Sequence, residues 1–184
     1  MTGKDKDLMA VISDNLLVER MGRGDVASFE ALFLRHYDRV YGILFRLLGD
    51  RAEAEDVAQE VFLKLYYNPL PAGEEHNVGA WLYRVATNMG YNAIRGRKRL
   101  DQRNTHLVPD PIPDPADTVA RRDAAAKVRQ ALAKLNPRQA QLLLLRQMGL
   151  SYEELADACG IAPSSVGTLL VRAGKAFRDV YGRD

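Results

Sequence analysis

The sequence has too little cysteine for a disulfide-stabilised fold and no apolar stretch long enough to cross a membrane. Cys159 is the only cysteine among 184 residues, which excludes an intramolecular disulfide and fits a reducing compartment. The best apolar candidate, residues 43–48, is interrupted by Arg46 and stopped by Gly49, whereas a spanning helix needs ~20 apolar residues. The first residues alternate lysine with aspartate and lack the apolar centre of a secretion signal. We therefore expect a cytoplasmic protein without membrane insertion.

The residue patterns of common enzyme and metal sites are also missing. The sequence contains no glycine-rich phosphate loop and no nucleophile motif. Its three histidines, His36, His76 and His106, lie far apart along the chain and indicate no metal site. We expect a protein that is not an enzyme and that requires neither a cofactor nor a metal.

Charge is present in ordinary amount but is unevenly distributed. Charged residues make up 27% of the chain and the formal net charge is +2. One cluster is acidic and another is basic, which favours one basic and one polyanionic partner, although two solvated helix faces would show the same pattern. The acidic cluster contains Asp50, Glu53, Glu55, Asp56 and Glu60, and the basic cluster contains Arg95, Arg97, Lys98, Arg99 and Arg103.

Hydrophobic periodicity predicts an all-α protein with two helical domains. In the first domain a helix is expected over residues 25–48, and a second begins at Asp50 with Glu53 three positions later, an approximate capping box. A third carries Trp81 and other apolar residues on its inner face. Its outer stripe consists of Arg84, Asn88, Asn92, Arg95 and Arg99.

A proline-rich segment separates the two domains. Residues 107–117 contain four prolines that alternate with aspartates, a pattern that favours extended backbone and excludes a helix. We therefore divide the chain into an N-terminal extension (1–24), a first helical domain (25–100), a linker (101–118) and a second helical domain (119–184).

The second domain ends in a predicted helix-turn-helix. Ser151 and Glu154 form a capping box, Gly160 ends the short helix that follows, and Pro163 begins a longer one. A plain helical hairpin has the same outline, but small polar residues at the front of the second helix favour DNA binding in the major groove. The residues expected on the open face of that helix are Ser164, Ser165, Thr168, Arg172 and Lys175.

Two groups of motifs resemble a known family. Residues 135–139 (LNPRQ), 149–156 (GLSYEELA) and the turn at Gly160 are similar to region 4 of the extracytoplasmic-function (ECF) sigma factors of bacterial RNA polymerase. Residues 54–62 (AEDVAQEVF) and 80–88 (AWLYRVATN) resemble region 2 of the same family. The two matches occur in the family's order and cover most of the chain.

The resemblance implies a sigma factor that binds core RNA polymerase at its clamp and flap regions and directs promoter-specific initiation. It implies that the first domain recognises and melts the minus-ten element as duplex and single strand, and that the open face of the helix-turn-helix contacts the minus-thirty-five element. In the loop 68–78 an extruded base would contact one of Asn68, Glu74, Glu75, His76 or Asn77, while Trp81 is better explained as a core residue. The implied polymerase-binding residues are Glu55, Asp56, Gln59 and Glu60. The implied minus-ten residues are Arg84, Asn88, Asn92, Arg95, Arg97, Lys98 and Arg99.

Some features depart from the family pattern or are compatible with more than one role. Asn92 replaces a frequent aspartate, and Gly167 and Leu169 stand where lysine and arginine are usual, so weaker minus-thirty-five recognition is expected. The linker fits both a solvated spacer and a segment threading toward the RNA exit path, and control by an anti-sigma factor is a further family expectation. The main alternative is a stand-alone helix-turn-helix regulator, which would leave the acidic helix and the basic stripe without a role.

Overall fold

The chain folds into helices joined by short turns. The computed structural model describes residues 12–71, 76–103 and 119–182, with backbone alone for residues 98, 100–103 and 119–122. Within these ranges there is no strand, which confirms the all-α expectation. None of these helices combines the length and the apolar character that a bilayer crossing requires. The helices are α1 (Asp14–Gly22), α2 (Val26–Leu48), α3 (Arg51–Tyr67), α4 (Val78–Arg103), α5 (Val119–Lys134), α6 (Pro137–Gln147), α7 (Tyr152–Cys159) and α8 (Pro163–Tyr181).

The first two long helices have clear start and stop signals, including the predicted start at Asp50. Asp25 caps α2 by accepting a hydrogen bond from the Ala27 amide at 3.1 Å. Gly49 ends that helix in the left-handed conformation with φ +74°. Asp50 caps α3 by accepting from the Glu53 amide at 2.8 Å, while the Glu53 carboxylate forms an ion pair with Arg97. Local residue chemistry therefore determines where these helices begin and end.

The first domain buries its core between α2, α3 and α4. Leu32 and Leu44 from α2, Phe62 from α3 and Leu82 and Ala86 from α4 are at most 1% exposed. Full burial of an aliphatic or aromatic side chain contributes about 1.5–3 kcal/mol, so these contacts hold the three helices together. The opposite side of α4 is thereby left facing outward.

A short helix precedes this bundle inside the segment expected to be an N-terminal extension. Leu17, Val18 and Met21 of α1 are buried in the hydrophobic core. Asp14 also pairs with Arg35 and accepts a hydrogen bond from His36 Nε2 at 2.7 Å. Helix α1 is therefore part of the first domain.

The second domain packs four helices around a small core. Leu142 and Leu145 of α6, Leu155 of α7 and Val166 and Ala173 of α8 are at most 1% exposed. The predicted capping box forms in both directions: Ser151 Oγ accepts from the Glu154 amide, and the Glu154 carboxylate accepts from the Ser151 amide. With Gly160 at φ +63° between α7 and α8, the helix-turn-helix is confirmed.

The two domains are in direct contact. Helices α6 and α7 lie against α4, and α5 contacts α2. The guanidinium of Arg129 on α5 lies so close to Gly49 that a Cβ there would be 2.6 Å from its Nε. Burial, and after it the neighbouring charge of Arg97, lowers the pKa of Arg129.

Candidate nucleic-acid interface

The outer side of α4 carries the polar stripe that the sequence predicts. The stripe repeats every three or four residues, and residues before and between its members, such as Leu82 and Ala86, are buried in the core. This alternation places amides and guanidinium groups on one face of a single rigid helix. The exposed members are Arg84, Asn88, Asn92, Arg95 and Arg99.

The stripe offers donors that suit phosphates and unpaired bases. Arg95 Nη2 donates to Asn92 Oδ1 at 2.6 Å, which orients the Asn92 amide along the helix. Arg84 Nη2 donates to the carbonyl oxygen of Asp157 in the second domain at 2.7 Å. Guanidinium groups bind phosphate oxygens, and amides can donate to and accept from base edges.

Arg97 differs from its neighbours in the basic cluster. Its Nη2 donates to the carbonyl oxygen of Leu48 at 3.3 Å, and its Nη1 lies 3.2 Å from Glu53 Oε2. Arg97 thus links the end of α2 to the start of α3, and its assignment to DNA binding stays a prediction. The side chain of Lys98 lies outside the described residues.

The loop before α4 is tied to the helices around it. Asn77 caps α4 by accepting from the Ala80 amide at 3.0 Å, and the His76 amide donates to Asn15 Oδ1 at 2.9 Å. Asn68 is exposed at the end of α3, whereas the candidates Glu74 and Glu75 lie outside the described residues.

Trp81, which the sequence places in the core, packs against the hydrophobic core but is half-buried. It lines a cavity of about 500 Å³ between the two domains, together with Asn77, Arg84, Asp157 and Ile161. An aromatic ring beside amide and guanidinium donors is a suitable surface for stacking a base. The structure therefore leaves Trp81 available for contacts that a core residue could not make.

The acidic residues of α3 form a separate exposed surface. Glu55, Asp56, Gln59 and Glu60 all face solvent, while Ala54, Ala58 and Val61 are buried on the other side of the helix. Three of the four lie beyond the first helical turn or at its edge, so the helix dipole explains them less well than a basic partner does.

An aromatic row on α2 borders this acidic surface. Its members repeat every four residues, and neighbouring ring centroids are 4.7–6.4 Å apart. Burial, followed by the charge of Glu55, raises the pKa of Tyr37, so the Glu55 carboxylate lies near that ring. The aromatic row consists of Phe29, Phe33, Tyr37, Tyr41 and Phe45, all of which are half-buried.

The open face of α8 is largely as predicted. Ser164, Thr168, Arg172 and Lys175 are exposed and Ser165 is half-buried. Sequence reasoning missed Val171, which is 72% exposed on the same face. Val171 lies three residues after Thr168 and four residues before Lys175, and this spacing predicts that it shares their helical face. An exposed β-branched side chain there can make the apolar contact that a thymine methyl group requires.

The two departures in α8 have different surroundings. Gly167 is half-buried at the edge of the open face, and a Cβ there would meet Tyr152 at an ordinary contact distance of 3.7 Å. Leu169 packs against the hydrophobic core. A cation can therefore be added at position 167 without disturbing the core, but not at position 169.

Two protein-family models match the chain. The model for sigma-70 region 2 matches residues 32–100, and the model for sigma-70 region 4 matches residues 125–176. Together the matches cover more than half of the chain and coincide with most of α2–α4 and of α5–α8.

Characterised relatives extend the likeness along nearly the whole chain. The RNA polymerase sigma-H factor of Pseudomonas aeruginosa is 33% identical over 177 residues, which cover 89% of this chain and 91% of that protein. The ECF RNA polymerase sigma factor SigW of Bacillus subtilis is 28% identical over 174 residues, with 88% and 92% covered.

Solved structures share the fold. The sigma factor RpoE, determined in complex with the anti-sigma factor NepR from Bartonella quintana, superposes with a TM-score of 0.56 at 23% identity, over 85% of this chain and 98% of that one. CnrH, determined in complex with the cytosolic domain of CnrY, superposes with a TM-score of 0.61 at 20% identity, over 93% and 98%. At these identities the likeness concerns the fold alone.

Proposed function

Because the chain belongs to the ECF sigma factors of bacterial RNA polymerase, we propose that its two domains divide promoter recognition unequally. As a member of this family it binds core RNA polymerase and directs promoter-specific transcription initiation, and it is not an enzyme. Its partners include core polymerase and promoter DNA. Which residues carry out these tasks is part of the proposal. So is the location of the protein in the cytoplasm, where polymerase acts.

The acidic surface of α3 is the proposed contact with the polymerase clamp. Glu55, Asp56, Gln59 and Glu60 are exposed on one rigid helix, which suits a basic helical partner through charge complementarity. The adjoining aromatic row adds rings that arginine side chains can stack on. We also propose that the second domain contacts the flap region of core polymerase.

The polar stripe of α4 is the proposed surface for minus-ten recognition and melting, and the observation that carries it is the uniform outward exposure of the stripe. Promoter melting requires a protein that binds unpaired bases better than duplex. Asn88 and Asn92 supply amides for bases or backbone, while Arg84, Arg95 and Arg99 supply cations for phosphates.

The open face of α8 is the proposed minus-thirty-five contact. Arg172 and Lys175 are exposed near the middle of the helix, and Ala162 gives the helix no side-chain cap. Uncapped amides at a helix N-terminus can bind a DNA phosphate. With few cations on this face, we expect minus-thirty-five binding to be weak and its salt dependence shallow.

An anti-sigma factor is a further proposed partner. An apolar groove of about 560 Å³ lies between the domains and is lined by Phe45, Val128, Leu132, Leu143 and Phe177, among others. Such a groove suits the apolar face of an amphipathic helix. Among the solved structures that share this fold, RpoE was determined with an anti-sigma factor and CnrH with the cytosolic domain of CnrY. A charged substitution at the groove rim, Val128→Glu, should weaken binding of an anti-sigma factor that uses the groove.

In vitro transcription with core polymerase on genomic templates tests the proposed function. Core polymerase supplemented with this protein should start transcription at discrete sites that share upstream sequence elements. Tight sequence-specific duplex binding by the protein alone, without polymerase-dependent initiation, would instead support the stand-alone regulator.

Two substitution sets separate the domain surfaces. Asp56→Lys with Glu60→Lys should reduce co-purification with core polymerase, whereas Glu30→Lys, an exposed charge reversal on α2, should not. Asn88→Ala and Arg95→Ala should impair open-complex formation, measured by permanganate reactivity of unpaired thymines, more than polymerase binding. Equal losses in both assays would contradict a role for these residues in capturing the melted strand.

A further inference from the structure

Helix α1 contacts the loop that leads from α3 to α4 at both of the loop's described ends. Near the start of α1, Asn15 Oδ1 accepts a hydrogen bond from the backbone amide of His76 at 2.9 Å. At the end of α1, a Cβ on Gly22 would lie 3.9 Å from Cγ of Pro69. His76 Nε2 also donates to the carbonyl oxygen of Pro71 at 3.0 Å, which ties the two ends of the loop together. One helix of 9 residues therefore holds the beginning and the end of the loop.

Helix α1 provides a fixed reference for this loop because its other side is anchored in the first domain. Leu17 and Met21 are at most 4% exposed in the hydrophobic core. The first residue of α1, Asp14, accepts a hydrogen bond from His36 Nε2 on α2 at 2.7 Å. The acceptor oxygen of Asn15 therefore has a defined position before any DNA binds.

His36 connects α1 to the start of α4 as well. Its Nδ1 lies 3.5 Å from the Tyr83 hydroxyl oxygen, and a Cβ on Gly79 would lie 3.3 Å from its Cε1. His36 is 8% exposed and Tyr83 is 3% exposed, so this connection runs through the interior of the domain. A displacement of α1 would therefore reach the first turns of α4 through His36, in addition to the direct contact between Asn15 and His76.

The residues that Asn15 holds lead into α4 and form one side of the cavity at Trp81. Asn77 follows His76 directly and caps α4 by accepting from the Ala80 amide at 3.0 Å, while its carbonyl oxygen accepts from the Trp81 amide at 2.9 Å. His76, Asn77 and Trp81 line the same cavity. The position of the His76 backbone therefore determines where this side of the cavity lies relative to the polar stripe.

We propose that Asn15 is a positioning residue for base recognition: by holding the His76 amide, it keeps His76 and Asn77 where an unpaired promoter base would meet them. The inference rests on the proposed role of the first domain in minus-ten recognition. A recognition segment that is ordered before binding does not lose that conformational entropy when the ligand arrives. Only a base that fits benefits from this order, because a base that makes no contact gains nothing from a fixed partner. Asn15 should therefore increase discrimination between bases more than DNA binding in general.

Three substitutions in the full-length protein separate the acceptor atom of Asn15 from the helix that carries it. Asn15→Ala removes the acceptor of the His76 amide. Asn15→Asp keeps an acceptor oxygen, and a carboxylate near the N-terminus of α1 also suits the helix dipole. Leu16→Ala is the matched control, because it truncates a side chain of the same helical turn that is 38% exposed. Asn15 is half-buried rather than part of the core, so the domain should fold in all three variants.

Two measurements are made on each variant. Hydrogen exchange resolved at single residues measures the protection of the His76 amide. In vitro transcription with core polymerase measures initiation from a mapped promoter and from templates that replace each base of its minus-ten element in turn. In Asn15→Ala we expect faster exchange at His76, and we expect the preference for the original base to fall about twofold to tenfold at one or two adjacent positions, the range of a single hydrogen bond. Asn15→Asp and Leu16→Ala should both resemble wild type.

The inference is overturned if Asn15→Ala keeps the wild-type preference at every position of the element. It is equally overturned if initiation falls by the same factor on every template, because α1 would then stabilise the domain without positioning the loop. A loss of discrimination in Asn15→Asp as large as that in Asn15→Ala would also overturn it, because the acceptor oxygen would then not matter.

Failure of the proposed minus-ten role itself would appear in other variants. It would be seen as unaltered open-complex formation by Asn88→Ala and Arg95→Ala in the polymerase assay. Impaired open complexes in those two variants, together with unchanged discrimination by Asn15→Ala, would refute the positioning role of Asn15 alone. The two failures are therefore distinguishable.

Discussion

Adding a cation to the front of α8 tests how the second domain contacts DNA. Gly167 lies at the edge of the open face, and a Cβ there would sit 3.7 Å from Tyr152 Cε2, with no closer neighbour. A longer side chain can therefore leave the helix toward solvent on the side that carries Thr168 and Val171. The informative variants are Gly167→Ala and Gly167→Lys.

The two variants have different expected magnitudes. Replacing a helical glycine with alanine stabilises a helix by roughly 0.5–1 kcal/mol, which raises the melting temperature of a chain of this size by about 1–4 °C. Lysine shares most of that gain because its helix propensity is close to that of alanine. If its ammonium contacts one phosphate, the plot of log affinity against log salt concentration should steepen by about 0.9.

Melting curves and duplex binding across a salt series check these values. The duplex carries the upstream element of a promoter mapped by transcription, and Gly167→Ala is the control for helix stabilisation without charge. A Gly167→Ala protein less stable than wild type would show that the Cβ does not fit. An unchanged salt dependence for Gly167→Lys would show that position 167 does not face the phosphates.

Three further predictions concern stability. Gly49→Ala should lower the free energy of unfolding by about 1–2 kcal/mol because of the left-handed backbone at this position, and it should also displace Arg129. Gly149→Ala should show the backbone cost alone, because Gly149 has φ +87° and open space around it. Urea unfolding of both variants checks this. Burial raises the pKa of Cys159 from 9.0 to about 11, so the folded state should lose about 1–2 kcal/mol as pH rises from 9 to 11. Cys159→Ala should lack this loss in urea unfolding at each pH. Asp14→Asn should weaken the attachment of α1 by about 1–2 kcal/mol, seen as faster amide exchange in α1 with little change in α8.

Local signals made much of the fold predictable. The caps Asp25 and Ser151, and Pro163 as the first residue of α8, act within a few residues of themselves, so the sequence alone locates these helix starts. The periodicity of α4 likewise separates Leu82 and Ala86 from the exposed stripe, because neighbours on a helical face are three or four positions apart.

Contacts between distant positions are not predictable in the same way. The hydrogen bond of Asp14 with His36 joins residues 22 positions apart, and that of Gln141 with Thr87 joins residues 54 apart. Neither pair forms a motif, so the sequence pattern indicates an extension where α1 lies and gives no sign of the contact between the domains. It also groups Arg97 with its basic neighbours, because the pairing of Arg97 with Glu53 depends on how α3 and α4 pack.

The location of Trp81 has a practical consequence for spectroscopy. It is the only tryptophan in the chain, and it lines the cavity that α7 closes against α4. The indole is half-buried beside Asp157 and Ile161 of the second domain, so separation of α7 from α4 would hydrate it and shift its emission to longer wavelength. The protein thus contains an intrinsic fluorescent reporter of the contact between α4 and α7, which can be read without any attached dye.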